Sequence, residues 1–190
     1  VKKDAAQVVF LAGDVKNVGK PLALNAKVAE GAQITTGADG FVYLKTIDNG
    51  FLIVRPNSTI RIVSYQIDKL KPENTRIKLE LISGVARSIS GEAVKLSRQN
   101  FRFNTPVAAI GVRGTDFTVF TDESVSRVSV LSGGIVVSGF GGNCTPLGTG
   151  PCEGASSVEL FAAQQGKLLQ IHKDQIKPSI FNGNGTAPDI

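Results

Sequence analysis

The chain has 190 residues, enough for one domain with a substantial hydrophobic core and too few for two ordinary domains with a generous linker. Hydrophobic residues make up 42% and charged residues 19%, a balance that excludes an intrinsically disordered chain or a solvating tail. Lys and Arg outnumber Asp and Glu by 21 to 16, which raises the question of an anionic partner, while no apolar run approaches the roughly 18 residues of a membrane helix. The lack of Met, at Val1 and throughout, is compatible with a cleaved export leader.

Along the chain, glycines punctuate short runs of alternating β-branched and aromatic residues: Gly13, Gly19, Gly31, Gly37, Gly40 and Gly50, then Gly84, Gly91, Gly111 and Gly114. The spacing predicts strands at Phe41–Thr46, Phe51–Arg55, Thr59–Val63, Arg76–Ile82, Phe101–Asn104, Asp116–Thr121, Arg127–Leu131 and Gly134–Ser138. Each run has strand length and none has helix length. The expected class is therefore all-β: one domain of short antiparallel strands forming a twisted sandwich, or a barrel-like, jelly-roll-like fold. Asp48, Asn49 and Gly50 predict a hairpin with Gly in positive φ, and Ser132, Gly133 and Gly134 predict a second one.

Eight basic residues lie between Lys69 and Arg102 (Lys69, Lys71, Arg76, Lys78, Arg87, Lys95, Arg98, Arg102), interleaved with Asp68, Glu73, Glu80 and Glu92. That mixture predicts solvated strand faces rather than an anion site. Nucleic-acid binding would also need aromatic platforms beside basic groups, and Phe101 and Phe103 share one strand face, which marks them as core. No nucleic-acid partner is expected.

Cys144 and Cys152 bracket a Gly- and Pro-rich turn that predicts a disulfide, with two buried thiols as the alternative. A disulfide there contributes about 2–3 kcal/mol by loop entropy and implies an oxidising compartment. Two cysteines and a single histidine do not make a structural zinc site. Val158–Gln165 reads either as a helix or, preferred for its alternation, as a strand turning at Gly166 into Lys167–Ile171 in a hairpin. The expected domain runs over 1–180, with 181–190 a tail or linker by its Asn, Gly and Pro content.

A search for chemistry finds no catalytic set. There is no Gly-x-Ser-x-Gly elbow, His172 stands alone near a charged strand end, and Asp122 and Glu123 read as a turn rather than half of a carboxylate pair. No phosphate-cradling motif is present, and no cofactor or metal is expected. The chain therefore reads as a binding module. A protein partner leads, and a glycan or peptidoglycan partner is the alternative, with Tyr43, Tyr65 and Phe140 as its candidate platforms.

The most distinctive stretch is Asn104-Thr105-Pro106-Val107-Ala108-Ala109-Ile110-Gly111-Val112-Arg113-Gly114-Thr115-Asp116-Phe117. Physically it is a strand end, a Pro that removes a ladder donor, and a strained crossing between glycines. Arg113 is expected to pair locally with a carboxylate such as Asp116 and pin that crossing, the other possibility being a ligand contact. The stretch resembles the hallmark of the FecR family. Agreement in order extends to Gly13-Asp14-Val15, Gly31, Ile34 to Gly37, Asp48 to Gly50, Pro56 to Ser58, Leu81 to Val85 and Val130 to Val137, or about residues 8–138. The resemblance implies an all-β extracytoplasmic domain, periplasmic or secreted from a bacterium, that contacts another envelope protein. The founding members relay an iron-siderophore signal across the inner membrane, which makes an iron-sensing role a further expectation. The disulfide loop at 144–152 then reads as part of a C-terminal β extension.

Overall fold

The computed structural model describes residues 2–183. In chain order its strands are β1 (Asp4–Ala12), β2 (Val15–Asn17), β3 (Lys20–Pro21), β4 (Lys27–Ala29), β5 (Gln33–Thr36), β6 (Phe41–Thr46), β7 (Phe51–Val54) and β8 (Thr59–Gln66). The long β9 (Arg76–Ile89) is followed by a short helix, α1 (Glu92–Leu96), then β10 (Phe101–Asn104), β11 (Ala108–Val112), β12 (Asp116–Thr121) and β13 (Val125–Ser132). The chain closes with β14 (Gly134–Gly139), β15 (Val158–Phe161), β16 (Lys167–His172) and β17 (Ser179–Asn182). The class is all-β, as the glycine spacing predicts.

The strands form two sheets that share β9. One, sheet A, runs β4-β1-β6-β7-β9-β12-β13-β16-β17, and the other, sheet B, runs β3-β2-β5-β8-β9-β10-β11-β14-β15. Every pairing is antiparallel except β9 with β10, which is parallel because α1 carries the chain back along β9. Among the described residues both sheets end in free edges, and neither closes into a barrel.

Strand β9 serves both sheets by switching at Gly84. Its first half pairs with β8 and β10, and its second half pairs with β7 and β12. Gly84 has φ 95°, and a Cβ there would lie 2.1 Å from Ser58 Oγ. The switch also changes which residues face inward, from Ile77, Leu79 and Leu81 to Ala86. One apolar cluster draws on both sheets, so the architecture is a sandwich, and Phe103 of β10 meets Phe117 of β12 edge to face at 5.4 Å across it.

The two expected hairpins differ. Lys45 pairs with Phe51 around Asp48-Asn49-Gly50, as predicted, but Asn49 carries the positive φ (64°). Gly50 is needed for space instead, since a Cβ would meet Ile89 O at 2.5 Å. The Ser132-Gly133-Gly134 hairpin is not formed: β13 lies in sheet A and β14 in sheet B, and the glycines carry the chain between them. Likewise Val158–Phe161 and Lys167–His172 are both strands, but they do not pair with each other. Strand β15 joins β14 and β16 joins β13, each extending its own sheet. Strand β17 continues through Phe181 and Asn182, past the expected boundary at 180, and 184–190, the rest of the expected tail, lie outside the described residues. Among the described residues no helix is long and apolar enough to cross a membrane.

Candidate functional site

The distinctive stretch is where the chain crosses from sheet B to sheet A. Thr105 starts it: its hydroxyl accepts from the N–H groups of Val107 (3.2 Å) and Ala108 (3.0 Å) and from Ser126 Oγ (2.8 Å), which folds the Thr-Pro turn. Pro106 sits exposed at that turn. At the crossing, Gly114 (φ 64°) and Gly133 (φ 73°) come together, and a Cβ on Gly133 would lie 2.2 Å from Gly114 O. Thr115 ties the two crossings. Its hydroxyl donates to Gly134 O and accepts from Arg113 N–H (3.1 Å) and Gly134 N–H (3.3 Å). Its N–H donates to Ser90 Oγ at 3.0 Å, anchoring the end of β9. Phe117 is wholly buried.

Arg113 does not pair with Asp116. Asp116 instead holds Arg87 through two oxygens, at 2.8 and 2.6 Å, and this raises the Arg87 pKa through the hydrogen bonds. The reason is alternation: Asp116 faces outward on sheet A, diagonal to Arg87 on β9, whereas Arg113 precedes the crossing and reaches Glu159 (3.1 Å) and Glu153 (3.5 Å). Its Nε is buried without a hydrogen-bond partner among the described residues.

Cys144 and Cys152 are joined by a disulfide. The loop it closes caps the outer face of sheet B, so the outward residues of β10, β11 and β14 are buried as well as the inward ones. Gly111 is explained by this cap, because a Cβ there would lie 2.5 Å from Pro151 Cβ. Beneath the cap are two cations expected to be solvated, Lys78 and Arg102, which are 7% and 2% exposed. Lys78 Nζ donates to the carbonyls of Pro146 (2.7 Å) and Gly148 (2.9 Å). Arg102 donates to Gly150 O (2.5 Å), Thr145 O (2.9 Å) and Asn104 Oδ1 (3.2 Å), and its Nη2 reaches Cys152 Sγ at 3.3 Å. Asn104 Nδ2 adds a bond to Pro146 O at 2.8 Å. Burial lowers the pKa of both cations, and repulsion by Arg102 adds to it at Lys78. Lys69, Lys71, Arg76, Lys95 and Arg98 are exposed as expected.

The outer face of sheet A carries no such cap among the described residues. Phe10, Phe41 and Tyr43 cluster there with centroids 5.2 to 6.0 Å apart, and Arg55 lies over Phe41. Further along the same face Arg127 lies over Phe120. Phe10 is 51% exposed. Beside Phe120 and Arg127 on the same two strands, the paired Thr118 and Ser129 have buried hydroxyls with no hydrogen-bond partner among the described residues. Of the candidate glycan platforms, Tyr43 belongs to this face, Phe140 is half-buried, and Tyr65 is buried with its hydroxyl on Asp48 at 2.7 Å. Sequence reading missed this face because its residues come from four strands and from Arg55 just past β7, and alternation alone does not tell which sheet face is covered. His172 lies exposed at the end of β16, its ring beside the Gln170 amide.

No curated protein matches the sequence. Two crystal structures of a putative anti-sigma factor from Parabacteroides distasonis ATCC 8503 are similar in fold, each with a TM-score of 0.52 at 15% sequence identity. The similarity covers 79% of this chain and 59% of that one, so the chain spans less than two thirds of the solved protein's length. The family model described as FecR protein matches residues 32–136, from the start of β5 into β14, a narrower span than 8–138. It takes in the shared strand β9, both crossings and the Thr105 to Phe117 stretch and leaves the disulfide cap outside. With more than half of its length matched, the chain belongs to the FecR family.

Proposed function

We propose that this protein is a non-enzymatic, extracytoplasmic interaction module of a regulatory system, and that it engages a protein partner through the outer face of sheet A. The observation that carries this reading is the uncovered group of Phe10, Phe41 and Tyr43, flanked by Arg55, Arg87 and Arg127, on a sandwich whose other outer face has its own cap. Aromatic and arginine side chains on a rigid sheet are the groups that dominate protein interfaces. Kinship with a family of signalling domains supports a regulatory role, as does the anti-sigma description of the structures with this fold. The disulfide supports an oxidising location, periplasmic or secreted. Iron-siderophore sensing is a narrower version of the same role.

The test is site-specific photocrosslinking in the native host, with the probe at Phe10 or Tyr43 and a control at Leu147, which is 92% exposed on the cap. A discrete crosslinked protein from both sheet-face probes is expected, the Tyr43 crosslink being lost on adding Phe10→Asp and no such product forming from Leu147. Equal crosslinking at all three positions, or none at the sheet face, refutes the assignment.

A further inference from the structure

The disulfide cap and the cations beneath it form a unit independent of the sheet A face. Lys78 of β9 and Arg102 of β10 are register partners in the one parallel pairing, so two like charges stand side by side on the outer face of sheet B. Among the described residues neither makes an ion pair with a carboxylate. What offsets their burial is a set of backbone carbonyls, those of Thr145, Pro146, Gly148 and Gly150, all inside the ring closed by Cys144 and Cys152. Buried charge is tolerated only while such partners stay in place. Beside the ring is an open depression of about 440 Å³ that reaches Arg102, Ser138 and both half-cystines, so solvent and small solutes have access to the latch. At its edge Arg102 Nη2 has, among the described residues, only a sulfur as its acceptor, a weak one.

We propose that the Cys144–Cys152 loop is a redox latch over a two-cation site, and that lifting it presents Lys78 and Arg102, with Asn104 and Ser138 beside them, to an oxyanion. Opening follows reduction by a dithiol. Two electrons and two protons pass from the dithiol to the cystine, the S–S bond breaks to give two thiols, and the dithiol leaves as its own disulfide. The loop then loses the constraint that holds its carbonyls on the cations. Two adjacent positive charges released from those carbonyls favour a ligand that supplies negative oxygens to both, and arginine with lysine is a natural phosphate-type pair. The sandwich itself stays folded, because the family match ends at 136 and the core lies between the sheets, away from the cap.

The experiment is amine acylation read peptide by peptide by mass spectrometry, on the oxidised protein, the dithiothreitol-reduced protein and the Cys144→Ser/Cys152→Ser variant. It is run with and without inorganic phosphate, with circular dichroism as the control for folding. Lys78 is expected to be protected when oxidised. After reduction or in the double variant it labels roughly 50-fold faster, the loop-entropy constraint of so short a ring expressed as an equilibrium ratio. Phosphate then slows labelling of Lys78 but not of the exposed Lys20. Continued protection of Lys78 after reduction overturns the latch, as does global unfolding on reduction. Labelling that phosphate leaves unchanged overturns the oxyanion site.

Discussion

Replacing Thr115 by Val keeps the shape of the side chain and removes its hydroxyl, which isolates the role of that hydroxyl at the double crossing. Thr115 is 2% exposed, so no water replaces the lost group. Gly134 O retains the Arg113 N–H at 3.0 Å, but the Gly134 N–H loses the hydroxyl oxygen and Arg113 N–H loses its second acceptor. One buried donor left weakly satisfied, together with one lost hydrogen bond, costs about 2–4 kcal/mol. For a domain of this size that corresponds to a fall in Tm of roughly 5–15 °C. Thr115→Ser keeps the hydroxyl and gives up a methyl group, so it should stay within about 1 kcal/mol of the parent. Urea unfolding under oxidising conditions, followed by circular dichroism, measures both. If Val unfolds within about 0.5 kcal/mol of the parent, or Ser is as damaging as Val, the hydroxyl does not hold the crossings together.

Gly111→Ala should cost about 1–3 kcal/mol by overpacking against Pro151, and Pro151→Gly should recover part of it; an additive double-mutant cycle by chemical denaturation refutes that contact. Cys144→Ser with Cys152→Ser should lower stability by about 2–3 kcal/mol, and reductant should then have no further effect on the unfolding midpoint. Tyr65 is held neutral by burial and then by the Asp48 charge, so its pKa lies well above 10.0. Below pH 10 both folded and unfolded states are protonated and nothing changes; above it the unfolded chain ionises first, so stability falls as pH rises toward the folded pKa. Tyr65→Phe should flatten stability against pH above 10 in denaturation series, and an unchanged slope counts against the assignment.

Alternation and glycine spacing were enough to define the class and most of the strands, because both follow from local backbone preference and from the two-residue period of a strand, while the family was legible only in the resemblance carried by Asn104 to Phe117. The Asp48 hairpin was legible for the same reason, and the cysteine pair was legible because so short a ring closes easily. Partner strands were not legible. A two-glycine turn looks the same whether the chain doubles back within a sheet or, as at Gly133 and Gly134, passes to the opposite one. Arg113 and Asp116 are neighbours in sequence, yet the crossing between them gives each a different partner. The strand face of Lys78 and Arg102 also looked solvated, since a cap formed 43 to 70 residues later leaves no local trace. The sequence by itself determined an all-β FecR-type domain with a disulfide loop. Only the tertiary structure decided which outer face is covered, which cations are buried and which aromatic side chains remain open to a partner, because covering a sheet face is a long-range packing event.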